Sequence, residues 1–532
     1  MNKNFLKFIT SPLTIIILLF AIQFTLYEYM TLAPEWSAPP DTVYTRIYGY
    51  DAIYVSWMRQ SALGAWAIRD QRTTAPIPSV YVYPLFIILG KIAGVTHIDS
   101  EQIYLLSKVV GGALAFIAIY ILIAEFIPKA SRATALLMLL GVEMGPWWYV
   151  DAPILGLGTV LRHFAVPHHT IGEAIGFIFV ILYYRNVYDA RRTRLIWLFI
   201  LGFIGTSVLL PFMVPLFITL GLVFGAIALR RKVVRSYLVT SIIAGLSIAI
   251  PGLIYAYEFS LGPPWNNSAH MESVFYSTHD MMRQYGMSLF YYVPFFVLAI
   301  IFLPLIWGKL SRKLQDISIL GFVGVCIPFL FWAVLPYISF PIANWRFIDI
   351  YYPIYPGLVS LMGLFAAWKV IGAKGKWGKT LLIIFTGVIV VLSGYTTWNY
   401  THQTVEERKI RWSNIFVPVP VWQAVQFFWS VPINSGILSL VHFGDIIADH
   451  APVRVYVARA VYADFGERAA LAQVFFSGTL SATAAHDFLK NNDISYVFYG
   501  PQERESTTVF PLYPMVLTDV FHTSGATVYK VK

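Results

Sequence analysis

Apolar runs of membrane length recur along most of this chain, separated by short polar connections, and that pattern limits the fold more than any motif does. A stretch of about twenty apolar residues crosses the hydrocarbon layer only as a helix, because every backbone polar group must be satisfied within the segment. The runs are Pro12–Tyr27, Gln102–Phe126, Ala133–Val150, Thr170–Tyr184, Leu195–Leu209, Met213–Leu229, Tyr237–Tyr257, Leu289–Trp307, Ile317–Leu335, Phe347–Trp368 and Leu381–Trp398, eleven in all. With 58% hydrophobic and 12% charged residues, an ordinary soluble domain is excluded. The expected class is an α-helical polytopic membrane protein.

Charge orients the spans. If they alternate, the clusters Lys129/Arg132, Arg185–Arg194, Arg230–Arg235, Lys309–Lys313 and Lys369–Lys379 all fall on one side. The positive-inside rule makes that side cytoplasmic. The basic, short Met1–Lys7 then lies in the cytoplasm, and Pro12–Tyr27 reads as a signal anchor, since no small-x-small cleavage pattern follows. The expected location is the plasma (cytoplasmic) membrane, with an odd number of spans leaving the chain after Trp398 outside. The net charge of +10 is explained by these clusters, so nucleic acid is not an expected partner. The single cysteine, Cys326, lies in an apolar run and excludes a disulfide framework.

Residues 31–79 are too polar and proline-rich to span and form a first external loop. Within it, Asp51, Tyr54, Trp57, Met58 and Ser61 are spaced as on one helix that stops at Gly64. Asp51 stands at its start, where an acid either caps the helix or serves as a functional carboxylate at the membrane surface. Tyr81–Gly94 is apolar but short, and reads as re-entrant or interfacial.

Basic residues on the external side are nearly all arginine: Arg46, Arg59, Arg69, Arg72, Arg162, Arg283 and Arg346. The guanidinium fork pairs with two phosphate oxygens, so an anionic headgroup site is one reading; pairing with nearby acids and interfacial snorkelling is the other. Lys108, about two turns into the second span, is an ionisable group within the membrane and a further candidate. The second external loop brings Asp151, Arg162 and the run Pro167-His168-His169. Adjacent histidines seldom share an ion and no His-Glu-x-x-His spacing occurs, so hydrogen bonding to a sugar or phosphate is preferred to a metal.

After residue 398 charge and turn residues return. Strands are expected at Gly436–Val441, Ser495–Tyr499 and Ala526–Val531, with helices near Pro418–Trp429, Arg468–Phe475 and Ala484–Asn491, giving a small external α/β domain over 399–532 behind a membrane domain over 1–398. No Gly-x-Gly-x-x-Gly follows these strands, and neither a phosphate-binding Gly-x-x-x-x-Gly-Lys-Ser/Thr nor a Gly-x-Ser-x-Gly nucleophile motif occurs.

Taken in order, these pieces resemble a family. A first span, an external Asp-x-x-Tyr helix ending in Gly-x-Trp (Asp51, Tyr54, Gly64, Trp66), a proline-rich stretch ending in Tyr83-Pro84, alternating spans and an external tail look like the GT-C-type glycosyltransferases that use polyprenyl-phosphate sugars. Pro167-His168-His169, Trp345-Arg346-Phe347 and the tail's Val474–Gly478 and Phe488–Pro501 fit its prokaryotic members. Many members carry Asp-Glu where this chain has Asp51-Ala52, and no Asp-x-Asp of the oligosaccharyltransferase kind is present. The resemblance implies inversion at an anomeric carbon, with Asp51 as base and Arg346, Arg59, Arg72 and Lys108 around the donor phosphate. Tyr54, Asp151, Arg162, His168 and His169 are then substrate contacts. Its implied partners are a polyprenyl-phosphate sugar and a lipid-linked glycan, polysaccharide or protein acceptor, with no cofactor and no metal indicated. A secondary transporter or flippase is the competing class; the long first loop and external tail speak against it.

The topology is directly testable. With Cys326 replaced, a cysteine near Lys374 should react with an impermeant reagent only from the cytoplasm, and one near Ser506 only from outside. Labelling of both from the same side would overturn the arrangement.

Overall fold

A computed structural model describes residues 11–47, 50–81, 83–127, 166–262, 265, 278–334, 354–410, 416–458 and 464–532. The predicted span Ala133–Val150 lies outside them. The helices are α1 (Pro12–Trp36), α2 (Tyr50–Ala62), α3 (Pro84–Thr96), α4 (Ser100–Phe126), α5 (Pro167–Tyr188), α6 (Arg192–Arg231), α7 (Val234–Ser260), α8 (Thr278–Ile306), α9 (Arg312–Val334), α10 (Ile354–Ile371) and α11 (Lys376–Ile410). The tail adds α12 (Val419–Phe427), α13 (Val441–His450), α14 (Phe465–Phe476), α15 (Ala482–Asn491) and α16 (Pro501–Ser506). Among the described residues, six helices are long and apolar enough to cross a membrane. The chain divides into two compact units, one of residues 1–30, 106–256 and 273–404, the other of 31–105, 257–272 and 405–532.

Among its described residues the first unit is helical. Two predicted spans, Leu195–Leu209 and Met213–Leu229, are the arms of one continuous element, α6, which turns at Leu209 (φ −148°, ψ 69°). Pro211 has no N–H to give the carbonyl of Ser207, and the Tyr255 hydroxyl donates to that oxygen instead at 2.7 Å. The arms fold back on each other: a Cβ on Gly205 would lie 3.1 Å from Met213 Sδ, whereas eight residues of straight helix span about 12 Å. Helix α5 packs against both arms, its Gly172 against Leu209 and its Gly176 against Phe212 and Leu216.

Buried carboxylates gather the helix ends of this unit. Asp316 accepts from Arg231 Nη2 at 2.8 Å and from the Tyr188 hydroxyl at 2.7 Å. Glu125 accepts from Lys313 Nζ at 2.7 Å and from Arg185 Nη2 at 2.5 Å. Three basic clusters far apart in sequence thus converge on two acids at the same helix ends.

The second unit is built on a mixed sheet. Its strands β3 (Gly436–Leu438), β4 (Arg454–Val455), β5 (Tyr496–Tyr499), β6 (Leu517–His522) and β7 (Thr527–Val531) lie in the order β4-β3-β5-β7-β6. The pairs β3–β4 and β3–β5 are parallel, and β5–β7 and β6–β7 are antiparallel. Alternate residues serve opposite faces: Ile437, Tyr496, Phe498 and Val528 pack with α12 and α13, while Leu438, Val497 and Tyr499 pack with α14 and α15. The three predicted strands and three predicted helices are present; α13, α16, the short β4 and β6 were not foreseen. The first loop belongs to the same unit. Its strand β1 (Thr42–Tyr44) pairs antiparallel with β2 (Phe416–Pro418).

Glu503 joins two parts of the sheet domain. Its carboxylate accepts from the backbone N–H of Leu440 at 2.7 Å, just past β3, and from that of Gly500 at 3.0 Å, just before α16. Complete burial pushes this acid up to about 7, against the hydrogen bonds that favour its charged form. The unfolded chain therefore releases the proton at lower pH than the folded one, and stability falls as pH rises from about 4.5 to about 7. The expected loss is up to about 3 kcal/mol, measurable as amide exchange of Ile437 and Leu438 in the full chain between pH 5 and 8. Glu503→Gln should flatten that slope.

Candidate active site

Helix α2 forms as its spacing requires. Asp51 occupies its first turn and Gly64, at φ 113°, follows its end, with the Gly64 N–H bonded to the Ser61 carbonyl. Burial rises sharply along it: Asp51 is half-buried, whereas Val55 through Ser61 are all buried.

Three sets of contacts hold this helix. Against α3 the backbones touch, since a Cβ on Gly90 would come within 2.2 Å of the Met58 carbonyl oxygen and one on Gly94 within 2.7 Å of that of Ala62. The Ser61 hydroxyl donates to the Ile87 carbonyl at 2.7 Å. The Gln60 amide closes the following turn, donating to the Arg69 carbonyl at 2.8 Å and accepting from the Arg69 N–H at 3.0 Å. On the aromatic side, Tyr54 stacks on Phe86 with centroids 4.3 Å apart, and Trp57 stacks on Tyr83 at 5.5 Å. Tyr54 thus has its ring in a packed cluster one turn beyond Asp51.

Two of the first-loop arginines, Arg59 and Arg72, turn inward to the tail, whereas Arg46 is exposed and paired with Glu35. Arg59 Nη1 donates to the Asp449 carbonyl at 2.8 Å, and its guanidinium lies 5.5 Å from the Trp429 ring centre. Burial pushes Arg59 below its ordinary value, opposed by Asp99, Glu101 and Asp449. Arg72 is wholly buried: its guanidinium is paired with the Asp449 carboxylate and lies 3.8 Å from Asp70. The stretch around it runs along the sheet, with the Val455 N–H bonded to the Gln71 carbonyl at 2.9 Å and Arg454 Nη1 to that of Thr74 at 2.8 Å. Arg59 and Arg72 thus each give one guanidinium nitrogen to a buried oxygen of Asp449 in the tail.

Arg59 also forms one wall of a cleft of about 450 Å³, lined by Asp99, Glu101, Trp422, Val425, Gln426, Trp429 and His450. Burial and the neighbouring guanidinium push His450 down to about 3, so its imidazole is neutral. Sequence reasoning missed these residues. Asp449 and Arg72 are 377 positions apart, and no local pattern marks either as the other's partner.

Of the other expected site residues, Lys108, His168 and His169 belong to the first unit. Lys108 is buried within α4. His168 and His169 open α5 behind Pro167, their rings 4.4 Å apart. Asp151, Arg162 and Arg346 lie outside the described residues. Among the described residues, no three His, Cys, Asp or Glu side chains gather as metal ligands would.

Among solved structures, the chain superposes on the mycobacterial arabinofuranosyltransferase AftD (mutant R1389S) with a TM-score of 0.53 at 10% identity, covering 97% of this chain and 41% of that one. The fold is of the GT-C type. This chain spans less than half the length of AftD. The apo oligosaccharyltransferase of Archaeoglobus fulgidus also matches (TM-score 0.49, 12% identity, 97% of this chain and 74% of that one). So does ArnT of Cupriavidus metallidurans, solved with undecaprenyl phosphate (TM-score 0.47, 13% identity, 96% and 97%). No family model matches the sequence, and no curated protein does.

The pairing of loop and tail within the GT-C fold can be broken and restored. Arg72→Met alone strands the buried Asp449 carboxylate and should cost about 3–5 kcal/mol. Adding Asp449→Leu should recover most of that loss, measured as thermal unfolding of the detergent-solubilised chain. Equal, additive losses from the two changes would mean that the pair is not coupled.

Proposed function

We propose that this chain is an inverting glycosyltransferase that moves a sugar from a polyprenyl-phosphate donor to an acceptor hydroxyl on the external face of the plasma membrane. The observation that carries the reading is the placement of Asp51. A carboxylate stands at the accessible end of a helix whose remaining length is locked by backbone contact, amide clamp and aromatic packing, within a GT-C fold. A base held this rigidly meets the positional demand of proton abstraction, for which small misplacements cost much of the rate.

In the proposed reaction the acceptor hydroxyl oxygen attacks the anomeric carbon from the face opposite the lipid phosphate. The new C–O bond forms as the bond to the phosphate oxygen breaks; the hydroxyl proton passes to Asp51, and the lipid phosphate departs with the bonding electrons. Charge developing on that phosphate calls for a preorganised donor. Arg346 is the arginine we assign to it, since Arg59 and Arg72 are engaged with the tail. Lys108 is retained as a candidate for the donor phosphate, and Tyr54, Asp151, Arg162, His168 and His169 as candidates for substrate contact. The GT-C fold supports the reaction class, and the sugar transferred is left open by it.

Asp51 can be tested as base apart from any capping role, because Asn caps a helix about as well as Asp but cannot take the proton. In purified protein given a polyprenyl-phosphate sugar and acceptor lipid, Asp51→Asn should transfer sugar at least about a hundredfold more slowly while its thermal stability stays near that of the parent. Turnover above about a third of the parent rate would reduce Asp51 to a cap and sink the assignment.

A further inference from the structure

We propose that the cleft between α12, α13 and the start of α4 binds a neutral sugar chain, and that it holds the acceptor glycan away from the reacting hydroxyl. The inference rests on the glycosyltransferase reading for the purpose of the bound chain, although the binding itself requires no turnover.

The walls of the cleft dictate the ligand. Arg59 is about nineteen-twentieths buried, and while Nη1 is engaged by the Asp449 carbonyl, its Nε–H has no hydrogen-bond partner. A buried guanidinium N–H without an acceptor is costly, and Arg59 is one of the residues that line the cleft. Asp99 and Glu101 line the same cleft and are coupled electrostatically to Arg59. A phosphate accepting from Arg59 would meet those two acids, and an ammonium drawn to the acids would meet Arg59. A hydroxyl satisfies both, accepting from the arginine and donating to a carboxylate.

The aromatic walls make the same choice. Trp429 is 47% exposed, yet its ring is fixed, because Nε1 donates to the His450 carbonyl at 2.9 Å and Arg59 sits against its face. Trp422 stands edge-on to the neutral His450 ring, with centroids 4.9 Å apart. Indole faces pack against the C–H face of a pyranose or furanose ring, and the exposed Gln426 amide between them adds a donor and an acceptor.

Position gives the cleft its purpose. Asp51 and Arg59 are eight residues apart on α2, about 12 Å along the axis. A monosaccharide acceptor at Asp51 would not reach the cleft, whereas an oligosaccharide would span the distance.

The test titrates the purified full-length protein in detergent with mannotetraose, arabinotetraose and cellotetraose, reading tryptophan fluorescence, with inorganic phosphate as the competing probe. At least one tetrasaccharide should saturate below about 20 mM. Trp429→Ala and the exposed-site Gln426→Ala should each weaken it, the former about tenfold or more. In transfer assays Trp429→Ala should raise KM for long acceptors and leave kcat near the parent value. Saturation by none of the three sugars, undiminished binding in both cleft variants, or displacement by phosphate would overturn the proposal. Sugar binding without any transfer would instead sink the enzymatic reading and leave the cleft standing.

Discussion

A buried acid, Asp449, ties two arginines of the first loop to the tail in the unit that carries the candidate base. Its carboxylate neutralises Arg72, and its carbonyl takes a hydrogen bond from Arg59. Both arginines come from the first loop and both would be costly if left unpaired at that depth, so the loop can be buried only where the tail supplies these oxygens. The position of α2, and with it Asp51, follows from that constraint.

Rigidity elsewhere in the helix has complementary sources. Glycines at 90 and 94 let α3 approach α2 to backbone contact, which aligns the two helices more narrowly than larger side chains would. The Gln60 amide fixes the exit turn and the stacked rings of Tyr54, Trp57, Tyr83 and Phe86 fix the rotation. An acid carried by an element so constrained is held in one geometry, which is the preorganisation the proposed role as base would require. The helical unit uses the same means on a larger scale, with Asp316 and Glu125 each gathering cations from separate helix ends.

Much of this was legible in the chain itself. Apolar runs of membrane length announced helices, and the paired prolines Pro211 and Pro215 accompany the turn that makes two arms of α6. The start of α2 at Asp51 and its stop at Gly64 could be read because helix periodicity and glycine's left-handed tolerance are local properties. The strands of the tail were legible for the same reason, except for β4 and β6, which are too short or too polar to show an apolar alternation.

The roles of the arginines were not legible, and the reason is physical. A guanidinium suits a lipid phosphate and a buried carboxylate equally well, and only the partner's position distinguishes them. Sequence determined that Arg59 and Arg72 needed oxygen acceptors, that the chain was built for a membrane, and that Asp51 began a helix. The tertiary structure decided that the acceptors lie on Asp449, and that Trp422, Gln426 and Trp429 share a cleft with Asp99 and Glu101. Those pairings join segments more than three hundred residues apart, where no spacing rule along the chain reaches.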